Sequence, residues 1–217
     1  MSQELTKRII SSIVLIPFVL FFIIKGSILF NFFILICLFI SVYEWHIISK
    51  NKSYYFSGIL FLIFSFYTSY KLINFDGSYH YFLIVILICI STDVGGYIFG
   101  KIFKGPKLTK ISPKKTYSGM IGGYLFSLLI INIFYVSSYF PLKLFDLASK
   151  VFIFIFLIST ISQIGDIIIS YFKRLSNVKD TGTIIPGHGG LLDRIDGMIF
   201  AFPFSYIILK MNIFQYF

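Results

Sequence analysis

The sequence predicts an all-α fold, a polytopic transmembrane helical bundle of about seven spans with a cytoplasmic N-terminus. Three observations carry that prediction. Of 217 residues, 57% are apolar, 20% aromatic and only 13% charged, far from the balance of a soluble domain. The apolar residues fall into seven runs long enough to cross, or nearly cross, a bilayer. The cations between the runs collect on one side.

The first run, Ile9 to Ile24, follows a basic start and meets Lys25 and Gly26 rather than a small-residue cleavage site, so it reads as an uncleaved span. Pro17 should kink it, which a bilayer tolerates where neighbouring helices satisfy the freed carbonyl. The remaining spans are expected at Ile28 to Ile48, Tyr54 to Tyr70, Tyr81 to Phe99, Met120 to Phe140, Val151 to Tyr171 and Met198 to Ile213. With the N-terminus inside, 14 of the 19 Lys and Arg residues, from Lys7 and Arg8 to Arg194, fall in cytoplasmic loops. The other five, Lys25, Lys71, Lys143, Lys150 and Lys210, fall outside. The excess of positive charge is therefore a topology signal and not a nucleic-acid footprint. Cys37 and Cys89 each sit inside an apolar run, which excludes a disulfide framework and a zinc site. No internal repeat suggests a transporter built from two halves, and one domain, residues 1–217, is expected. Its polar regions are 93–119 and 166–197.

Acidic residues within spans are functional candidates, because charge in hydrocarbon is costly. Asp93 precedes Lys101 by eight residues and Asp166 precedes Lys173 by seven, so both should lie at about the same depth, roughly 10–12 Å below the boundary. They could share a cation, or each could bond a neighbouring helix. Glu44, beside Trp45 and His46 at a span's inner end, reads as structural. Gly96 and Gly100, and Gly119 and Gly123, have the small-residue spacing that lets two helices approach closely.

Two cytoplasmic loops remain. In the first, a Ser-Pro turn at Ser112 precedes Lys114 and Lys115, and six lysines within fifteen residues favour an anionic substrate. The second, SYFKRLSNVKDTGTIIPGHGGLLDRID from Ser170 to Asp196, mixes Lys173, Arg174, Lys179 and Arg194 with Asp180, Asp193 and Asp196 around Gly187, Gly189 and Gly190. Carboxylates suit a divalent cation, Lys and Arg suit phosphate oxygens, and glycines expose backbone N–H groups. Asp166, Ser170 and Lys173 or Arg174 are spaced to line one helix face. Asp193 and Asp196 are expected on one face at the start of the last helix. His188 fits positioning or phosphate contact, because a phosphate monoester with a second pKa of about 6 needs no base.

The run S-Y-F-K-R, then K-D, then P-G-H-G-G-L-L-D-R-I-D resembles the signature of the phosphatidate cytidylyltransferases, as do STDVGGYIFGK, ISPKKTYSG, the opening KRIISSIVLIPFVLF and YEW. Between Trp45 and Asp93 the chain is shorter than the family's usual layout. The resemblance implies Mg²⁺-dependent transfer of CMP from CTP to phosphatidate, giving CDP-diacylglycerol for phospholipid biosynthesis in a bacterial cytoplasmic (inner) membrane, with the site facing the cytoplasm. It implies catalytic roles for Asp166, Lys173, Arg174, Lys179, Asp180, Asp193 and Asp196, with Asp166 and Asp193 as metal ligands. Substrate contacts are implied for Asp93, Ser112, Lys114, Lys115, Ser170, His188, Gly189, Gly190 and Arg194. A second, monovalent cation and a homodimer stay open, as do two alternatives: CMP transfer to another lipid phosphate, and transport of an anionic lipid or nucleotide.

Overall fold

A computed structural model of the chain describes residues 17–75, 79–136, 148–185, 187 and 189–211. Helical residues 17–25 (α1) are followed by α2 (Ser27–Ser49), α3 (Tyr55–Ile73), α4 (His80–Phe103), α5 (Tyr117–Val136), α6 (Ala148–Leu175), α7 (Leu192–Ile195) and α8 (Met198–Lys210). Among the described residues the only non-helical pairings are isolated bridges, Lys107 to Thr116 and Ile185 to Gly189. Half of the expected first span, residues 9–16, lies outside the described residues, as do Lys7, Arg8 and Lys143.

Among the described residues five helices are long and apolar enough to cross a membrane: Ile28–Ser49, Tyr55–Ile73, His80–Phe103, Tyr117–Phe134 and Ser149–Leu175. Their outward faces carry large apolar side chains in the open, such as Phe32, Ile36 and Phe39 on α2 and Ile121, Leu125 and Leu129 on α5. Hydrocarbon rather than water is the solvent those faces suit. The chain is an integral membrane protein.

The last apolar run behaves differently. Its described helix, α8, has 13 residues and so a length of about 20 Å, short of the ~30 Å of a hydrocarbon core. It is also buried: Ile199, Ala201, Ile208 and Leu209 are at most 4% exposed. Phe202 stacks on Phe82 at 5.1 Å, and Phe200 meets Phe61 at 4.5 Å. Thus α8 fills the centre of the bundle, between α3, α4 and α6.

Helices α4 and α5 meet along their glycines, as the spacing predicts. A Cβ on Gly119 would stand 2.7 Å from the carbonyl oxygen of Gly96, and one on Gly123 would stand 2.9 Å from that of Thr92, so side chains there would force the backbones apart. The approach brings the inner end of α4, with Asp93, against the start of α5 and the lysine loop preceding it. Chain alternation puts the C-terminal ends of α2, α4 and α6 and the N-terminal ends of α3 and α5 at one end of the bundle, where the polar residues gather.

Candidate active site

The polar face of α6 forms as its spacing predicts, and its members then diverge. Ser170 Oγ donates to Asp166 Oδ1 at 3.3 Å, while Asp166 Oδ2 pairs with Lys115 Nζ at 2.5 Å. That pair joins the first polar loop to α6. The loop is itself folded: Leu108 N–H donates to the Lys115 carbonyl at 2.8 Å, Lys115 N–H to the Ser112 carbonyl at 3.0 Å, and Ser112 N–H to Thr109 Oγ1 at 3.1 Å. Lys115 is partly buried in it and Lys114 is exposed.

One turn beyond Ser170, Lys173 donates to Asp193 Oδ1 at 2.9 Å in an ion pair whose side chains are 10% and 3% exposed. The other carboxylate oxygen of Asp193 accepts from the N–H of Thr181 at 2.8 Å and of Gly190 at 2.9 Å. Asp193 was expected beside Asp166 at a cation. Its contacts here are one lysine and two backbone amides. Arg174 points away, its guanidinium donating to the Val178 carbonyl at 3.1 Å, and Lys179 and Asp180 are exposed.

Asp193 and Asp196 differ in their contacts. The hydrogen-bond ladder breaks between α7 and α8 at Asp196 and Gly197, although both keep right-handed helical dihedrals. Gly197 presses on α6, where an added Cβ would lie 2.4 Å from Ser162 Oγ, and this approach carries Asp196 toward Asp166. Burial, and then the negative charges of Asp166 and Asp93, raise the Asp196 carboxyl well above the ordinary range; Lys173 and the Gly197 N–H, which donates to Asp196 Oδ1 at 2.9 Å, oppose the rise. Lys115 and Arg194 act on Asp93 with the opposite sign of charge. The acidic group is therefore Asp93, Asp166 and Asp196, from α4, α6 and the turn after α7. Among the described residues no three acidic, histidine or cysteine side chains close into a ready-made metal cage.

Glycines shape the remaining loop. Gly187 and Gly189 hold φ of 76° and 86°, a region that disfavours side chains, and the Ile185 N–H donates to the Gly189 carbonyl at 2.9 Å. His188 and Pro186 lie outside the described residues. Glu44, which the sequence suggested was structural, is wholly buried and accepts from Thr181 Oγ1 at 2.9 Å and from the N–H groups of Leu191 and Leu192 at 2.8 Å each. Trp45, its neighbour, sits edge-on to Phe172 at 5.2 Å, and Ser176 Oγ donates to the Ile48 carbonyl, so the end of α2 is fastened to the end of α6.

Two cavities flank these elements. One of about 180 Å³ is lined by Trp45, Tyr54, Gly58, Phe61, Ile169 and Phe172, next to Lys173 in sequence. The other, about 860 Å³, lies between α5 and α6 toward their opposite ends, near Leu129, Asn132 and Phe152. Size does not make the larger one the site, because the charged chemistry is at the other end of the bundle.

Residues 54–212 match the family described as the Cytidylyltransferase family. Over 206 residues, 93% of this chain and 90% of the relative, the sequence is 35% identical to a phosphatidate cytidylyltransferase of Rickettsia typhi. Over 211 residues, 95% of this chain and 92% of the relative, it is 34% identical to that of Rickettsia felis. A phosphatidate cytidylyltransferase of Staphylococcus haemolyticus is 43% identical over 133 residues, 60% of this chain and 49% of the relative, so the chain spans about half of that protein's length.

Proposed function

The chain belongs to the cytidylyltransferase family, and on that premise we propose that it transfers CMP from CTP to phosphatidate, releasing pyrophosphate and leaving CDP-diacylglycerol in the membrane. The observation that carries this reading is the convergence of Lys115 and Lys173, from different polar segments, on a group of carboxylates at one end of a membrane-embedded bundle.

Both substrates are anionic and repel each other, so the protein has chiefly to neutralise and orient them. An oxygen of the phosphatidate monoester attacks the α-phosphorus of CTP, a new P–O bond forms, and the bond from the α-phosphorus to the bridging oxygen breaks, with pyrophosphate carrying away the electron pair. The monoester is largely ionised at neutral pH, so no residue need remove a proton. Lys115 and Lys173 offset phosphate charge, and the exposed Lys114 and Lys179 can add to it.

The oxygen donors Asp93, Asp166 and Asp196 suit a hard cation such as Mg²⁺: Asp196 is buried, with the negative charges of Asp166 and Asp93 acting on it, and a cation there would offset both effects. Mg²⁺ is commonly held by one or two carboxylates together with substrate phosphates. Bound there, the ion would supply Lewis-acid neutralisation of the phosphates. A second, monovalent ion remains an open part of this reading.

We also infer a single domain of seven spans, N-terminus inside, in a bacterial inner membrane, with the site at the cytoplasmic face, where CTP is found. The charge asymmetry of the loops supports this orientation. The apolar cleft at Trp45 and Phe172 is consistent with a lipid substrate whose tails stay in the bilayer.

The test is purified protein with labelled CTP, Mg²⁺ and phosphatidate, in competition with a polyprenyl phosphate. Phosphatidate-dependent pyrophosphate release is expected. Preference for the competitor, or solute movement across vesicles without release, would refute the assignment.

A further inference from the structure

Glu44 is 0% exposed, and among the described residues neither ion pair involves it. A buried carboxylate is costly unless hydrogen bonds replace its water. Three do: Thr181 Oγ1 and Leu192 N–H donate to Oε2, and Leu191 N–H donates to Oε1. The first donor stands at the beginning of the 182–190 loop and the other two just past its end. Asp193 holds nearly the same two points, through Thr181 N–H and Gly190 N–H. Two carboxylates, one from α2 and one from α7, thus close the neck of one loop.

The loop backbone has come close to Glu44 to make these bonds. A Cβ on Gly190 would be 2.5 Å from Glu44 Oε2, and one on Gly182 would be 2.9 Å from Oε1. If α2 needed only to pack there, an apolar residue would serve at lower desolvation cost. Glutamine would not reproduce the contact. It presents one acceptor oxygen, so with that oxygen placed at Oε2 its amide would set N–H against the N–H of Leu191.

We propose that Glu44 is a positioning residue for CMP transfer: by closing the neck of the 182–190 loop, its carboxylate fixes the loop amides and the Lys173–Asp193 pair that face the nucleotide. The kinetic consequence rests on the reading of the site as a CTP site. The structural consequence does not.

The test uses the full chain purified from membranes, with Thr181→Val as the main variant. That change removes one donor to Glu44 and leaves the Thr181 N–H on Asp193, and Thr181→Ser restores the hydroxyl. Thr181→Val should raise KM for CTP about tenfold, leave KM for phosphatidate within about twofold, and be rescued by Thr181→Ser. Glu44→Gln should raise it further, and the double variant should be no worse than Glu44→Gln alone, because the two residues share one contact. Trypsin gives a second readout without substrate. Cleavage at Lys179, exposed beside the neck, should quicken about tenfold in Thr181→Val, while cleavage in the Lys101–Lys115 segment stays unchanged.

A fall in apparent kcat at constant KM for CTP would mean only lost folded protein and would overturn the proposal. So would a wild-type rate of cleavage at Lys179. If Glu44→Gln fails to accumulate, Thr181→Val decides. If the wild-type protein transfers nothing from CTP, the proposed function falls, and the trypsin measurement still decides whether Glu44 closes the loop.

Discussion

Replacing Asp193 by asparagine keeps the shape of the side chain and removes the charge that three donors share. If the asparagine oxygen keeps the Thr181 and Gly190 amides, its NH₂ group faces Lys173 Nζ where Oδ1 stood 2.9 Å away; if it flips, both amides lose their acceptor. The pair is buried, at 10% and 3% side-chain exposure, so solvent screens little of the loss. Removing one partner of such a pair costs about 3–5 kcal/mol. At 1.36 kcal/mol per factor of ten, the lower figure corresponds to about 150-fold if it falls on the competent form of the loop. Asp193→Asn should therefore lower kcat/KM by about a hundredfold or more while the protein remains membrane-inserted. The measurements are pyrophosphate release and unfolding in mixed micelles. The double variant Lys173→Met/Asp193→Asn should recover most of the stability, because the stranded ammonium is gone and the asparagine oxygen can still accept both amides, but it should recover no activity. Activity within about threefold of wild type in Asp193→Asn, with a stability loss under about 1 kcal/mol, would refute the argument.

Lys115→Met should behave in the opposite way: its pair with Asp166 is 23% and 28% exposed and so contributes under about 1 kcal/mol to stability, while activity should fall at least tenfold for want of a cation beside the phosphates. Loss of folding with retained specific activity would contradict that. Gly58→Ala puts a Cβ 2.1 Å from the Trp45 indole, so it should cost about 1–3 kcal/mol and shift the emission of the chain's single tryptophan; an unchanged spectrum would show that the ring is not held there. Cysteines placed at Thr109 and Lys179 should be labelled by an impermeant maleimide from the same side of the membrane, because Lys115 reaches Asp166. Labelling from opposite sides would undo the site.

Much of the bundle was legible because hydrocarbon imposes simple requirements. The expected spans at Ile28 to Ile48, Tyr54 to Tyr70 and Tyr81 to Phe99 coincide with α2, α3 and α4 to within a few residues. The small-residue spacing correctly pointed to α4 against α5, although Gly95 and Gly122, one position away, also make close contacts: their added Cβ atoms would lie 2.5 Å from Phe126 Cβ and 2.2 Å from Phe99 Cβ. The run from Met198 is apolar all round, and its described helix lies buried at the centre of the bundle.

The site was legible in its membership more than in its wiring. The D-R-I-D spacing suggested one helix face for Asp193 and Asp196, but spacing does not show their partners: Lys173 pairs with Asp193, while the charges of Asp166 and Asp93 act on Asp196. Glu44 was read as structural because it stands next to Trp45 and His46 at a span end, where such residues are ordinary. Its donors lie 137 to 148 residues further along the chain, and local pattern carries no signal for a contact at that range.

The central claim is that carboxylates of α4, α6 and the turn after α7 gather a divalent cation so that two anionic phosphates can meet. Binding of Mn²⁺ in place of Mg²⁺, followed by electron paramagnetic resonance on purified protein with and without Asp166→Asn, tests it without relying on turnover. The account predicts that CTP-dependent Mn²⁺ binding, saturable in the wild type, weakens at least tenfold in Asp166→Asn. Equal binding by both proteins would contradict it.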